Sequence, residues 1–150
     1  MKASFIVPII ISILLGGFCG KLVFDQYQAK EEVFQENNTA YFLQQGVYST
    51  EESLVENTKD LAYKVSVLED GKYYVYVGIT KDLDNAEKLK KMYEEMGYNI
   101  YQRELPISNY EFLNNLEQYD ILLTSSKTNE EMQSVMKVVL ASFEESVLNQ

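Results

Sequence analysis

The chain has 150 residues, 46% of them hydrophobic, which is enough for one domain with an appended segment and argues against global disorder. It carries 13 Lys and Arg against 23 Asp and Glu, a net charge of −10, and such an acidic chain repels nucleic-acid phosphates. The absence of His and the single Cys argue against a His-based catalytic site, an intramolecular disulfide and a Cys-rich zinc site. We therefore expect no metal, no other cofactor and no nucleic-acid partner.

An uncharged segment opens the chain. Residues 3–20 carry no charge, and apart from Lys21 the apolar run continues to Phe24. As a helix, residues 3–24 would be about 33 Å long, close to the thickness of a bilayer core. We interpret residues 1–24 as a transmembrane anchor and expect a single-pass protein of the cell membrane. A cleaved signal peptide is the alternative, although Phe18 stands where a cleavage site prefers a small residue.

A polar segment follows the apolar run. Residues 25–39 contain neither Gly nor Pro, which predicts a stalk or linker. Lys2 precedes the apolar run, whereas Lys21 and Lys30 follow it. Because these positive charges are nearly balanced, the positive-inside rule does not decide the orientation. The bitopic layout and the acidic C-terminal part favour a C-terminal domain outside the cytoplasm.

Two similar half-units lie within residues 41–104. The run from Tyr41 to Val47 resembles the run from Tyr73 to Ile79, with a matching Tyr and a matching Gly. Each run is followed by a helical pattern and then by a second apolar run. The predicted order is β-α-β-β-α-β, with strands at about 41–47, 63–68, 72–79 and 98–104 and helices at about 50–61 and 83–96. Glu69-Asp70-Gly71 is predicted as the hairpin loop that joins the halves.

This order predicts an α+β fold, ferredoxin-like or RNP-like, with a four-stranded antiparallel sheet and both helices on one face. Alternation along the strands divides the side chains between the two faces. Those expected to face the helices are Leu43, Val65, Val67, Val75, Val77 and Ile100. Those expected on the opposite face are Phe42, Gln44, Lys64, Ser66, Tyr74, Tyr76, Tyr101 and Arg103.

The opposite face groups aromatic side chains around an amide, and exposed aromatic clusters often mark binding surfaces. We therefore predict that its eight residues contact a ligand, and we assign no catalytic and no metal-ligating residue. The alternative is a structural role, because cross-strand Tyr pairs stabilise sheets and the C-terminal part of the chain could cover this face.

Residues 106–150 predict a C-terminal extension of two helices. Capping boxes indicate where these helices begin, at Ser108 with Glu111 and at Thr128 with Glu131, and a third, Ser49 with Glu52, marks the first helix of the domain. The two C-terminal helices cannot bury their apolar stripes alone, so they pair with each other, dock on the domain or bind another chain. Docking on the aromatic face would compete with a ligand.

Residues 40–105 resemble the SPOR domain, a family named for sporulation and cell-division proteins. The resemblance rests on Tyr41-Phe42-Leu43-Gln44-Gln45-Gly46, Tyr73-Tyr74-Val75-Tyr76-Val77-Gly78, Ala86-Glu87-Lys88-Leu89 and Met96-Gly97-Tyr98. It implies a β-α-β-β-α-β domain that binds bacterial peptidoglycan on its open sheet face, favours glycan strands without stem peptides and lies outside the cytoplasm. The family's first-strand Gln matches Gln44, whereas its third-strand Arg falls on Tyr74.

The functional expectation combines the residues with this resemblance. No nucleophile motif or phosphate-binding Gly loop is present, so we do not expect an enzyme. We expect a membrane-anchored peptidoglycan-binding module of the cell envelope that acts in division or sporulation, with division or sporulation proteins as candidate partners. The alternative is an assembly element that uses the same fold and the C-terminal helices without binding glycan. An RNA-recognition-type sheet shares the strand order, but the acidic charge disfavours it.

Overall fold

The computed structural model describes residues 38–149. They belong to one compact unit, Asn38–Gln150. The predicted anchor at 1–24 and nearly all of the predicted stalk at 25–39 lie outside the described residues. Between residues 38 and 149, no helix has the length and apolar character needed to cross a membrane.

Four strands and four α-helices make up the described chain. They are β1 (Thr39–Tyr48), α1 (Glu51–Asn57), β2 (Val65–Glu69), β3 (Lys72–Thr80), α2 (Leu83–Glu95), β4 (Tyr101–Pro106), α3 (Tyr110–Ser125) and α4 (Asn129–Phe143), and a π-helical turn, Glu144–Leu148, follows α4. The sheet order is β2-β3-β1-β4, and all neighbouring strands are antiparallel. The predicted α+β fold with a four-stranded antiparallel sheet is therefore confirmed.

Local chemistry explains the helix ends. The Asp82 carboxylate accepts a hydrogen bond from the Asn85 backbone N–H at 2.8 Å and caps α2, and Gly97 follows the helix at a φ of +92°. The predicted capping box at Thr128 is present in α4. The caps of α1 and α3 lie one residue later than predicted, at Thr50 and Asn109.

The hairpin between β2 and β3 is shorter than predicted. Glu69 pairs with Lys72, so that only Asp70 and Gly71 form the loop. Their φ angles of 49° and 74° are both positive, as the two-residue type I′ turn requires. The loop therefore has two residues rather than three, which shifts the pairing of β2 by one residue.

This shift exchanges the side chains that β2 contributes to the two faces. Ser66 aligns with Val75, whereas Val65 and Val67 align with tyrosines of β3. Because a one-residue shift moves every side chain of a strand to the other face, the predicted faces of β2 are wrong. Val65 and Val67 lie on the face of the tyrosines, and Ser66 lies on the opposite face. Lys64, which precedes β2, does not join the tyrosines either.

The C-terminal helices share one core with the sheet. Phe143 of α4 packs edge-on against Phe42 of β1 and Phe112 of α3, with ring centroids 5.4 Å apart in both pairs. Phe42 in turn packs edge-on against Tyr76 at 5.1 Å. The predicted boundary at 105/106 does not separate two compact parts, because residues on both sides of it supply this core.

Helix α4 also contacts the other side of β3, beside a glycine. A Cβ on Gly78 would lie 2.7 Å from Leu43 Cδ1 and 3.3 Å from both Leu89 Cδ1 and Met136 Sδ. The absence of a side chain at Gly78 therefore lets α2 and α4 approach β3 closely.

A buried carboxylate fastens α3 to the end of β3. Asp120 accepts hydrogen bonds from the Thr80 hydroxyl and from the Lys81 backbone N–H, the latter at 2.8 Å. The Asn85 side chain donates to the Asp120 backbone carbonyl at 3.0 Å. Burial raises the pKa of Asp120 above its ordinary 3.8, although the bonds from Thr80 and Lys81 oppose this shift.

Candidate functional site

Ten side chains form the three central rows of one sheet face, and we call these rows the tyrosine face. The exposed pair Glu69 and Lys72 continues the same face beyond Val67 and Tyr74, and Ala40 and Leu105 continue it beyond Phe42 and Arg103. Strand pairing places them in three rows: Val67, Tyr74 and Val47; then Val65, Tyr76, Gln44 and Tyr101; then Ile79, Phe42 and Arg103. The face thus brings together six of the eight predicted contact residues, namely Phe42, Gln44, Tyr74, Tyr76, Tyr101 and Arg103. Ser66 and Lys64 lie elsewhere, and Lys64 Nζ donates a hydrogen bond to the Thr58 carbonyl at 3.0 Å.

Part of the tyrosine face is covered by the protein itself. Phe42 and Tyr76 are each only 3% exposed, and Val65, Ile79 and Gln44 are buried as well. The Phe143 ring of α4 lies against Phe42. In this arrangement the covered residues form core and present almost no surface to a ligand.

The remainder of the tyrosine face is open, and we call it the open patch: Val47, Val67, Tyr74, Tyr101 and Arg103. Tyr101 is 65% exposed and Val47 is 41% exposed, while the other three are partly buried. Two tyrosine rings, two valines and one guanidinium therefore lie on the same side of the sheet. This mixture of apolar rings and a fixed hydrogen-bond donor is typical of a ligand-contacting surface.

Arg103 is held in place by the buried residues beneath it. Its Nη1 donates hydrogen bonds to Gln44 Oε1 at 3.2 Å and to the Tyr76 hydroxyl at 3.4 Å. Its Cζ lies 5.4 Å from the centroid of the Tyr74 ring, a cation–π distance. Both hydrogen bonds use Nη1, so within residues 38–149 the N–H groups of Nε and Nη2 stay available to a ligand.

The same contacts affect the protonation of the Tyr76 hydroxyl. Burial raises the pKa of Tyr76 above its ordinary 10.0, whereas the neighbouring Arg103 charge acts in the opposite direction. The hydroxyl is therefore neutral at physiological pH and serves as an acceptor for Arg103. Gln44 and Tyr76 thus position the guanidinium, and Arg103 presents it to solvent.

Sequence reasoning missed Val47 and Val67 as members of the open patch. The signal for Val67 was available, because an Asp-Gly pair between two apolar runs favours a two-residue type I′ turn. The packing of Phe143 of α4 against Phe42 had no comparable local signal. Across residues 38–149, no three or more Asp, Glu, Cys or His side chains come together as a metal site would require.

The model of the SPOR domain family matches residues 69–148, which is more than half of the chain. The chain belongs to the SPOR family. The SPOR match runs from the last residue of β2 to the π-helical turn and so includes α3 and α4. It overlaps the range that resembles the family in the sequence, 40–105, over residues 69–105.

A solved structure is also similar to this SPOR-family chain. It is the solution structure of the peptidoglycan-binding domain of the B. subtilis cell wall lytic enzyme CwlC, with 24% sequence identity and a TM-score of 0.38. The similarity covers 45% of this chain and 90% of that domain. No curated protein is significantly similar to this chain.

Proposed function

We propose that this SPOR-family protein binds peptidoglycan without catalysing a reaction, and that the open patch is its contact surface. Membership of the SPOR family supports the ligand class. The observation that carries the proposal is the guanidinium of Arg103, which two hydrogen bonds hold beside the Tyr74 ring. A fixed donor next to aromatic rings suits a sugar chain, because sugar rings present C–H faces and their hydroxyl oxygens accept hydrogen bonds.

The open patch offers two kinds of contact to a glycan. The rings of Tyr74 and Tyr101 provide apolar surfaces on which the C–H face of a sugar ring stacks, and their hydroxyls form hydrogen bonds. The free N–H groups of Arg103 donate to hydroxyl or carboxylate oxygens, and a donor that is already held loses little entropy on binding.

A sedimentation assay with purified sacculi tests the proposal. The full-length protein, kept in mild detergent, is expected to sediment with sacculi, and Tyr101→Ala is expected to reduce the bound fraction several-fold. Ile121→Ala is a matched control, because Ile121 is 64% exposed on α3 and Tyr101 is 65% exposed on the sheet. Absence of wild-type binding, both to intact sacculi and to sacculi stripped of stem peptides by an amidase, rejects the proposal.

We also propose that residues 1–24 anchor the protein in the cell membrane, with residues 38–149 outside the cytoplasm and a role in division or sporulation. The uncharged run at residues 3–20 supports the anchor, and a peptidoglycan ligand supports the orientation. Protease added to intact spheroplasts is expected to degrade the C-terminal domain. Protection of that domain in intact spheroplasts, with digestion only after lysis, contradicts the orientation.

A second candidate function, an assembly element of the envelope, is favoured by exposed aliphatic residues on the C-terminal helices. Ile121 is 64%, Leu122 is 55% and Val138 is 48% exposed. Ile121→Lys with Leu122→Lys leaves the open patch intact. If this double variant binds sacculi normally but loses its localisation in the cell, the result favours the assembly function. Normal localisation of the double variant argues against it.

A further inference from the structure

The outer edge of β2 has no partner strand among residues 38–149. In the sheet order β2-β3-β1-β4, strand β2 lies at one end and pairs with β3 alone. The pair Glu69 and Lys72 closes the two-residue loop and is therefore hydrogen-bonded. Because bonded and non-bonded pairs alternate between antiparallel strands, Ser66 and Leu68 direct their backbone N–H and C=O groups away from β3. Ser66 is exposed and Leu68 is 63% exposed, so this edge faces solvent.

The edge at β2 also lacks the features that usually keep an edge strand from pairing with another chain. Such protection comes from Pro, from charged side chains, from a bulge or from a covering element. Val65–Leu68 contains neither Pro nor a charged residue and pairs with β3 without a register shift. The other edge strand, β4, carries Arg103 and Glu104 and ends at Pro106, which has no N–H to donate. Of the two edges of the sheet, the one at β2 is therefore the better suited to pairing.

We propose that β2 pairs with β2 of a second copy of this chain, antiparallel and centred on Val67, so that the two sheets join into one sheet of eight strands. The inference goes beyond the proposed function and does not depend on peptidoglycan binding. Centring on Val67 places Ser66 of each copy opposite Leu68 of the other. The outward N–H and C=O groups of these residues then meet in four hydrogen bonds, so the strand is complementary to itself.

The side chains are complementary in the same register. Val67 lies opposite Val67 of the second copy, and Lys64 lies opposite Asp70 of the second copy. Lys64 Nζ donates one hydrogen bond to a backbone carbonyl at 3.0 Å, which leaves two of its three N–H groups for that carboxylate. Glu69 lies opposite Val65, so no two like charges face each other across the axis. This charge pattern favours a second copy, even though the chain carries a net charge of −10.

The pairing would join the open patches of the two copies. A two-fold axis perpendicular to the sheet keeps both tyrosine faces on the same side. Val67 and Tyr74 are paired residues of neighbouring strands, so their row continues across the axis into the same row of the second copy. The two Tyr74 residues would then lie three strand spacings, about 14 Å, apart.

Cysteine cross-linking of the full-length protein in mild detergent tests the proposed register. The single native cysteine, Cys19, is first replaced with Ser. In Val67→Cys, the two introduced residues form a non-hydrogen-bonded pair with Cα atoms about 4.5 Å apart, which a disulfide can bridge. In Leu68→Cys, the two introduced residues are offset along the strands, and their Cα atoms lie about 9 Å apart, which is too far for a disulfide.

The two variants are oxidised with copper-phenanthroline and compared by non-reducing electrophoresis. We expect Val67→Cys to form covalent dimer at least about fivefold faster than Leu68→Cys, although Leu68 is the more exposed residue. Equal rates, a faster reaction at position 68 or no cross-link at position 67 overturns the inference, because none of these results is compatible with pairing centred on Val67.

Variants that weaken the pairing give a second readout in the Val67→Cys protein. Ser66→Pro removes an outward N–H without removing a bond to β3 and should slow cross-linking about tenfold, whereas Ser66→Ala retains the N–H and is the control. A urea transition like that of the control shows that the Pro variant is folded. Asp70→Asn also suits the type I′ turn and should slow cross-linking about threefold, because it removes the carboxylate opposite Lys64. Unchanged rates in both variants overturn the inference.

Discussion

Arg103 is held by buried partners and at the same time has N–H groups that remain open to solvent. Gln44 and Tyr76 accept its Nη1 hydrogen bonds, and the Tyr74 ring lies beside its Cζ. A lysine retains the charge but has a single flexible ammonium instead of a planar fork. The value of Arg103 for binding therefore lies in geometry as well as in charge.

Arg103→Lys should accordingly weaken sacculus binding by about tenfold, which corresponds to one hydrogen bond to a charged group. Arg103→Gln should weaken it at least as much. The measurement is the bound fraction over a series of sacculus concentrations, with Lys91→Gln as the control on the exposed face of α2. Wild-type affinity in the Lys variant would contradict the role of the fork.

Asp120 shows how a single buried group makes stability depend on pH. Burial raises its pKa in the folded protein above the ordinary 3.8, so the folded state holds the proton more tightly than the unfolded state. A group of this kind contributes most stability below its unfolded pKa, and that contribution is lost as pH rises through its folded pKa.

The free energy of unfolding of Asp120→Asn should therefore rise relative to that of wild type as pH increases from about 3 towards neutrality. The measurement is the difference in free energy of unfolding between the two proteins, from urea denaturation at a series of pH values. Contributions from the other carboxylates cancel to a first approximation, because both proteins share them. If the free energy of unfolding of wild type instead rises with pH relative to that of the variant, the hydrogen bonds from Thr80 and Lys81 lower the pKa of Asp120 by more than burial raises it.

At the level of elements, the loop between β2 and β3 decides which side chains reach the tyrosine face. Its two residues are both at positive φ, and Gly71 has φ of 74° with no atom within 4 Å of a Cβ placed there. Gly71 is therefore favoured by its backbone conformation, because a side chain at this position would not collide with a neighbouring residue. The helix ends were predictable for a related reason, since caps such as Asp82 and Thr128 act within their own turn.

Gly71→Ala should lower the free energy of unfolding by about 1–2 kcal/mol, because an L side chain is disfavoured at positive φ. Gly71→Asn should cost less, since Asn tolerates this region better than Ala. Urea denaturation of the three proteins gives the comparison. An Ala variant as stable as wild type would indicate that the turn had changed its type.

On the scale of the whole molecule, the C-terminal helices complete the domain. Phe112 and Phe143 pack onto the sheet, and Asp120 fastens α3 to the end of β3. Without α3 and α4, Phe42 would lose the Phe143 ring that packs against it. The range matched by the SPOR family, 69–148, includes both helices.

Removal of residues 107–150 should consequently abolish cooperative folding and not release a stable smaller domain. We expect the truncated protein to lose dispersed NMR signals and a sharp urea transition, whereas wild type unfolds in one step. A truncated protein with a cooperative transition and native-like strand signals would show that residues 38–106 fold alone.

The sequence alone determined the order of the elements, the starts of α2 and α4 and the resemblance to the SPOR family. These features depend on apolar periodicity and on caps, which act over a few neighbouring residues. Only the tertiary structure decided which part of the tyrosine face is open. That outcome depends on a one-residue difference in a loop, which reverses the faces of β2, and on the packing of Phe143 against Phe42, which are far apart in the chain.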